Sequence, residues 1–159
     1  MLSIHFIVTG NLKESYLRDA SQEYLKRLSG FCRPEVIELK EVRVPDSPSD
    51  KEIASALKEE GDRILSLLPS RAYKIALCVE GKQFTSEELA EKLAHAAQES
   101  GDFYFIIGSS HGLDERVKAA CDLRLSVSKL TFPHQLMRVI LLESVYRAFN
   151  IQKGTRSHK

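Results

Sequence analysis

Cysteine is scarce in this sequence and badly spaced for structural chemistry. Cys32, Cys78 and Cys121 are odd in number, far apart and without a C-x-x-C pair. That excludes a zinc ribbon and a disulfide framework, and leaves three small hydrophobes suited to a reducing compartment. No apolar run approaches the length of a membrane span. The stretch Leu2–Val8, apolar apart from Ser3 and His5, has no cationic leader or cleavage site and reads as a strand, not a signal peptide. A soluble, cytoplasmic protein is expected. Missing too is G-x-G-x-x-G after the first strand, where Gly10 is followed by Asn11-Leu12-Lys13, and G-x-x-x-x-G-K-[ST] is found nowhere. Dinucleotide and P-loop cofactors are therefore disfavoured, and no metal-ligand cluster is visible.

What is present is enough for one domain, residues 1–159, of ordinary composition. A chain of this size buries roughly 70% of its unfolded surface, so its core needs no staples. The net charge of +1 points to no partner, but its distribution is uneven. Asp46–Asp62 holds six acids against two lysines, whereas after Glu143 there are no acids, only Arg147, Lys153, Arg156, His158 and Lys159. A basic tail, 152–159, on a near-neutral protein points weakly to phosphate-bearing partners, a solvated terminus being the plain alternative.

Strand-like and helix-like segments alternate throughout. Ser3–Thr9 is a short buried strand. Glu14–Leu28 sets Tyr16, Leu17, Ala20, Tyr24, Leu25 and Leu28 at helical spacing. Val36, Leu39 (or Ile37), Val42 and Val44 form the next extended stretch, interrupted by Pro45-Asp46-Ser47-Pro48. Ser49-x-x-Glu52 is a capping-box signal before a helix Ile53–Leu68, and Thr85-x-x-Glu88 does the same before Leu89–Gln98. Tyr73–Val79 and Phe103–Ile107 read as strands, the latter an unbroken apolar run typical of a central strand covered on both faces. A turn Gly108–Gly112, a short helix Asp114–Cys121 and a strand Leu123–Ser128 follow. From Pro133 a last helix runs to about Phe149. The alternation implies an α/β fold, a parallel sheet with helices on both faces.

The last helix is apolar around nearly its whole circumference, although a helix resting on a sheet needs only a stripe. Deep burial and a second face against a partner subunit both explain the surplus; Leu142 and Val145 are taken as partner-facing positions. Ligands in open α/β sheets bind beyond the carboxyl ends of the strands. Three such ends carry small or flexible residues: Glu80-Gly81-Lys82, Gly108-Ser109-Ser110-His111-Gly112, and Ser126–Phe132. Gly108 and Gly112 fit either a close approach to a ligand or a tight strand-to-helix turn. Ser109 and Ser110 lack the acid–histidine partnership of a hydrolase, and His111 fits solvent better than catalysis.

The strings F-Y-F-I-I-G at Phe103–Gly108, Gly112-Leu113 and S-V-S-K-L-T-F-P-H-Q-L-M-R-V-I-L-L-E-S-V-Y-R-A-F at Ser126–Phe149 closely resemble one family. It is the RlmH (YbeA-like) group of the SPOUT methyltransferases, and the resemblance spans the whole chain. It implies a C-terminal trefoil knot within about residues 73–149, a feature no periodicity could reveal. The knot loops would hold S-adenosyl-L-methionine through Leu77, Gly108 and the run Val127, Ser128, Lys129, Leu130, Thr131 and Phe132. A bulky side chain at Gly108 would then occupy ligand volume. The resemblance also implies a homodimer, and methylation of N3 of a pseudouridine in 23S ribosomal RNA, in the helix 69 region. The chain departs from the family pattern at Ser109, often a second glycine, at Ser157, often tyrosine, and at His111.

Direct methyl transfer from a sulfonium needs no metal. It needs alignment, and help in removing the imide proton or in stabilising the charge that results. His158, with an imidazole that ordinarily titrates near neutrality, is the candidate proton acceptor, and Arg138 and Arg156 are candidates for stabilising charge. His158 as a phosphate contact and Arg138 as an ion-pair residue are the alternatives. Arg147, Lys153, Arg156 and Lys159 are candidate RNA contacts. With little net charge, the dimer is expected to recognise an assembled ribosome, not a sequence in free RNA. Two readings from other classes stand beside this one: a non-catalytic ribosome-associated factor of the same fold, and a flavodoxin-like small-molecule enzyme.

Overall fold

The computed structural model describes residues 1–154. Ten elements alternate along it: β1 (Ser3–Thr9), α1 (Ser15–Leu28), β2 (Arg33–Leu39), α2 (Asp50–Leu65), β3 (Tyr73–Lys82), α3 (Ser86–Ala97), β4 (Asp102–Ile107), α4 (Glu115–Ala119), β5 (Leu123–Leu125) and α5 (His134–Gln152). The five strands form one sheet in the order β2-β1-β4-β3-β5, and every pairing is parallel. Both capping boxes are formed: Ser49 and Thr85 accept from the backbone N–H of Glu52 and Glu88, whose carboxylates bond back to the cap N–H groups. The caps fix the starts of α2 and α3, a few residues earlier than the apolar spacing alone suggests.

Strand periodicity divides the core in two. Phe6, Val8, Phe105, Ile107 and Ile75 face one way and pack with α1, α3 and α5; Phe6 and Phe105 are register partners whose rings stack at 5.4 Å. Ile7, Ile106 and Ala76, the alternate residues, face the other way onto Ile64 of α2 and Val117 of α4. Helices therefore cover both faces, and successive connections leave the sheet on opposite sides. That divergence opens crevices at the carboxyl ends of the strands.

Three local differences have identifiable causes. Val42 and Val44 lie beyond β2, because the Val42 N–H is taken by the Glu60 carboxylate at 2.9 Å instead of a strand partner. β3 extends to Lys82, because Leu125 pairs with both Leu77 and Lys82 across an irregularity, and Ser126 N–H then donates to the Lys82 carbonyl. In α5, Leu142 and Val145 are fully buried against the sheet with Leu141, Ala148 and Phe149. They are core residues of their own chain, which corrects the expectation that they face a partner. The surplus apolar surface of α5 is Leu136, exposed, with Val139 and Ile140, half-buried and part of neither core cluster. No helix among the described residues is long and apolar enough to cross a membrane.

Candidate functional site

The loop after β4 folds back on itself. Gly112 has φ +94°, a left-handed backbone that glycine adopts without strain, and its N–H donates to the Ser109 carbonyl at 2.9 Å. This brings the Gly112 backbone onto Gly108. A Cβ on Gly108 would collide with the Gly112 carbonyl oxygen and lie 2.6 Å from its carbon. Within the chain itself, a side chain at Gly108 would meet its own turn first. Ser109 is accommodated: no non-glycine residue among those described has positive φ. Its buried hydroxyl donates to Glu60 Oε1 at 2.8 Å.

That turn forms one wall of a cleft of about 900 Å3 at the carboxyl ends of β3, β4 and β5. The volume lies within the range of small-molecule and cofactor sites. Of the residues the family resemblance assigns to a cofactor, Leu77, Gly108, Val127, Ser128, Leu130, Thr131 and Phe132 line it, and Lys129 does not. Leu77, Ile107, Leu113 and Leu125 supply apolar surface. The 126–130 loop is shaped by its serines: Ser126 Oγ donates to the Ser128 carbonyl at 3.1 Å, and Ser128 Oγ accepts from Leu130 N–H at 3.0 Å. At the rim, Lys118 pairs with Glu80 and Glu115. Burial alone would lower the Lys118 pKa, but these bonds outweigh it and hold it above the usual lysine value, while the Lys118 bond holds Glu80 below the usual carboxylate range. Burial raises the pKa of the Cys78 thiol, the one cysteine lining this wall among the described residues, which disfavours its thiolate. An apolar interior with main-chain polar groups and a fixed carboxylate at the rim is chemistry that suits a nucleoside-like ligand.

A second cleft, of about 620 Å3, lies at the ends of β1 and β2 and shares Ser110 and His111 with the first. Its walls are tied together. Glu60 accepts from both Ser109 Oγ and Val42 N–H, and Ser110 Oγ donates to Glu41 at 3.2 Å. Arg138, 4% exposed, donates to Glu38 at 2.6 Å and to the Gly10 carbonyl at 2.8 Å, so it clamps α5 to the ends of β1 and β2. Arg147 pairs with Glu143 one turn away on α5, and the Lys153 ammonium lies 4.7 Å from the centre of the Phe31 ring. Neither residue lines either cleft. Arg156, His158 and Lys159 lie outside the described residues.

Sequence reasoning passed over Glu60, counting it only among the acids of Asp46–Asp62. A signal existed. Ile53, Ala56, Leu57, Glu60, Gly61 and Ile64 follow the i, i+3, i+4, i+7 spacing of the inner stripe of α2, and a carboxylate on such a stripe must find donors.

The family model described as "Predicted SPOUT methyltransferase" matches residues 2–158. The chain is 46% identical over 159 residues to a protein of Streptococcus thermophilus named ribosomal RNA large subunit methyltransferase H, covering 99% of this chain and 100% of that one. Proteins of the same name from Leuconostoc mesenteroides and Streptococcus sanguinis are 45% and 44% identical, with the same coverage. By full-length identity and family match alike, the chain belongs to the SPOUT methyltransferases, in the RlmH (YbeA-like) group.

Proposed function

We propose that this chain methylates N3 of a pseudouridine in 23S ribosomal RNA, in the helix 69 region, using S-adenosyl-L-methionine and working as a homodimer on assembled ribosomes. The observation that carries the reading is the cleft at the ends of β3, β4 and β5, lined by seven residues of the family's cofactor loops (Leu77, Gly108, Val127, Ser128, Leu130, Thr131, Phe132) in a chain 46% identical to a methyltransferase H. When bound, S-adenosyl-L-methionine supplies an electrophilic methyl on a positive sulfur, which an acceptor nitrogen displaces in line.

Leu77, Ile107 and Leu125 would hold the apolar part of the cofactor, and main-chain groups of the 126–132 loop would bind its polar part. The trefoil knot is part of this reading; the Leu125 backbone, paired with both Leu77 and Lys82, is compatible with it. The acceptor imide must shed its proton, and His158 is the proposed acceptor of it. Arg156 is the proposed stabiliser of charge. Arg138, with both ends of its guanidinium committed to Glu38 and Gly10, is a positioning residue for the second cleft in this reading. Arg147, Lys153 and Lys159 remain proposed RNA contacts. Leu136, Val139 and Ile140 on α5 supply the proposed dimer face.

Mass spectrometry of ribosomal RNA from cells lacking the gene, with and without added purified protein, tests the whole reading. One 23S pseudouridine should lack a methyl group and regain it on 70S ribosomes with S-adenosyl-L-methionine. An unaltered methylation pattern in the deletion strain would overturn it.

A further inference from the structure

We propose that the cleft at the ends of β1 and β2 is the acceptor site, where an RNA nucleoside turned out of its strand lies beside the cofactor cleft with its flanking phosphates on Lys13, Lys40 and Arg43. The inference rests on the methyltransferase reading and adds where the acceptor goes and which residues receive it. Direct methyl transfer requires the reacting atoms to come within roughly 3–3.5 Å, so donor and acceptor must occupy connected spaces. Among the described residues the two clefts meet at Ser110 and His111, which line both.

Charge and polarity fit a nucleotide. Lys13, Lys40 and Arg43 all line the second cleft, all are exposed, and none is in an ion pair among the described residues. The carboxylates in the same walls are engaged: Glu38 with Arg138, and Glu41 with the Ser110 hydroxyl. What remains for a ligand is cationic at the rim, with Leu39, Val42 and Val44 between as an apolar surface for a base. Enzymes that modify a base take it out of the stack into such a pocket, while cations on either side hold the backbone.

The wall is also built before any ligand arrives. The 40–44 segment is pinned to α2 twice, by Arg63 donating to the Lys40 carbonyl at 2.8 Å and by Val42 N–H donating to Glu60. Glu60 holds Ser109 with its other oxygen, so the same carboxylate sets the position of the acceptor wall relative to the cofactor turn. A pocket pinned in this way loses little entropy on binding.

Three variants test the site on ribosomes lacking the modification: Lys40→Glu/Arg43→Glu, Val44→Trp, and Lys92→Glu as a control on α3, which lines only the hollow near the start of β3. The double variant should weaken ribosome binding about tenfold or more and flatten its salt dependence by about one unit of slope per lost phosphate contact. Its S-adenosyl-L-methionine affinity by calorimetry, its melting temperature and its oligomeric state should match wild type. Val44→Trp, which fills the cleft without changing charge, should bind ribosomes with the wild-type salt slope and transfer methyl at least tenfold more slowly. Lys92→Glu should be normal in every respect. Unchanged ribosome binding in the double variant, or normal turnover by Val44→Trp, would overturn the acceptor site. So would a change of oligomeric state in the double variant, which would make this cleft a contact between two copies of the chain. Wild type that transfers no methyl would sink the methyltransferase reading itself, an outcome distinct from all of these.

Discussion

Gly108 shows how a residue can control a ligand site through its own chain. Its side-chain direction is filled by the Gly112 carbonyl, and an added Cβ would also lie 3.0 Å from Leu113 Cδ2, so even a methyl group must push the turn open. That turn carries Ser109, bonded to Glu60, and Ser110, bonded to Glu41, so a displacement is passed to both clefts at once. Gly108→Ala is expected to lower the melting temperature, in line with a loss of about 1–3 kcal/mol for overpacking, and to weaken S-adenosyl-L-methionine binding at least tenfold. Calorimetry beside a denaturant titration checks both. Binding lost with stability intact would instead mean that the added methyl occupies ligand volume and that the turn yields freely. At this scale the sequence was only partly legible. The glycines announce a tight turn, but that Gly108 is packed on Gly112 depends on a fold-back no pattern encodes. The side chain at Ser109 is tolerated because of an ordinary φ and a buried partner 49 positions earlier.

Among the elements, α5 carries the sharpest division of labour. Leu141, Leu142, Val145, Ala148 and Phe149 belong to the core, and Leu136, Val139 and Ile140 to the remaining face. The two faces should therefore respond differently to charge. Leu142→Glu places a carboxylate at a position with no exposure and should unfold the chain or leave it insoluble, a loss of several kcal/mol. Ile140→Glu should keep native circular dichroism and convert the proposed wild-type dimer, of about twice 18.0 kDa, to monomers in light scattering. A folded Leu142→Glu dimer, or an Ile140→Glu protein that stays dimeric, would show that the faces have been assigned the wrong way round. The helix itself was plain in the sequence from Pro133 onward, and so was its apolar surplus. Which apolar residues faced the sheet was not, because an all-round apolar helix has no moment to orient it. Likewise β1, β3 and β4 were legible from their apolar runs, whereas the order β2-β1-β4-β3-β5 rests on pairings between residues as distant as Ser3 and Asp102, on which local periodicity is silent.

Across the whole molecule, some of the described cations hold the fold in ion pairs and others stand unpaired at a cleft proposed to take RNA. Arg116, Lys118, Arg138 and Arg147 are in ion pairs, and Lys13, Lys40 and Arg43 gather unpaired at one cleft. The segment 155–159 adds Arg156, His158 and Lys159 beyond the last described turn. Gln152, which the sequence alone assigns to the tail, donates to the Ala90 carbonyl on α3 at 3.0 Å, and Lys153 packs over Phe31, so both belong to the folded body. A cut that tests the tail must therefore fall after Gly154. Protein ending there should retain the proposed dimer and its S-adenosyl-L-methionine affinity, since every described residue that lines either cleft is kept. Methyl transfer to ribosomes should nonetheless fall by at least a hundredfold, the low end of what general acid–base catalysis contributes. Two point variants separate contact from chemistry. Arg156→Ala should weaken ribosome binding and reduce its salt dependence, as loss of a phosphate contact does. His158→Ala should slow single turnover on saturating ribosomes. Raising the pH should partly restore that rate, because hydroxide then takes over removal of the imide proton, and the rescue should be absent from the wild-type profile. Normal saturating turnover by His158→Ala would show that this histidine only binds, and that the imide proton leaves to solvent or to the ribosome.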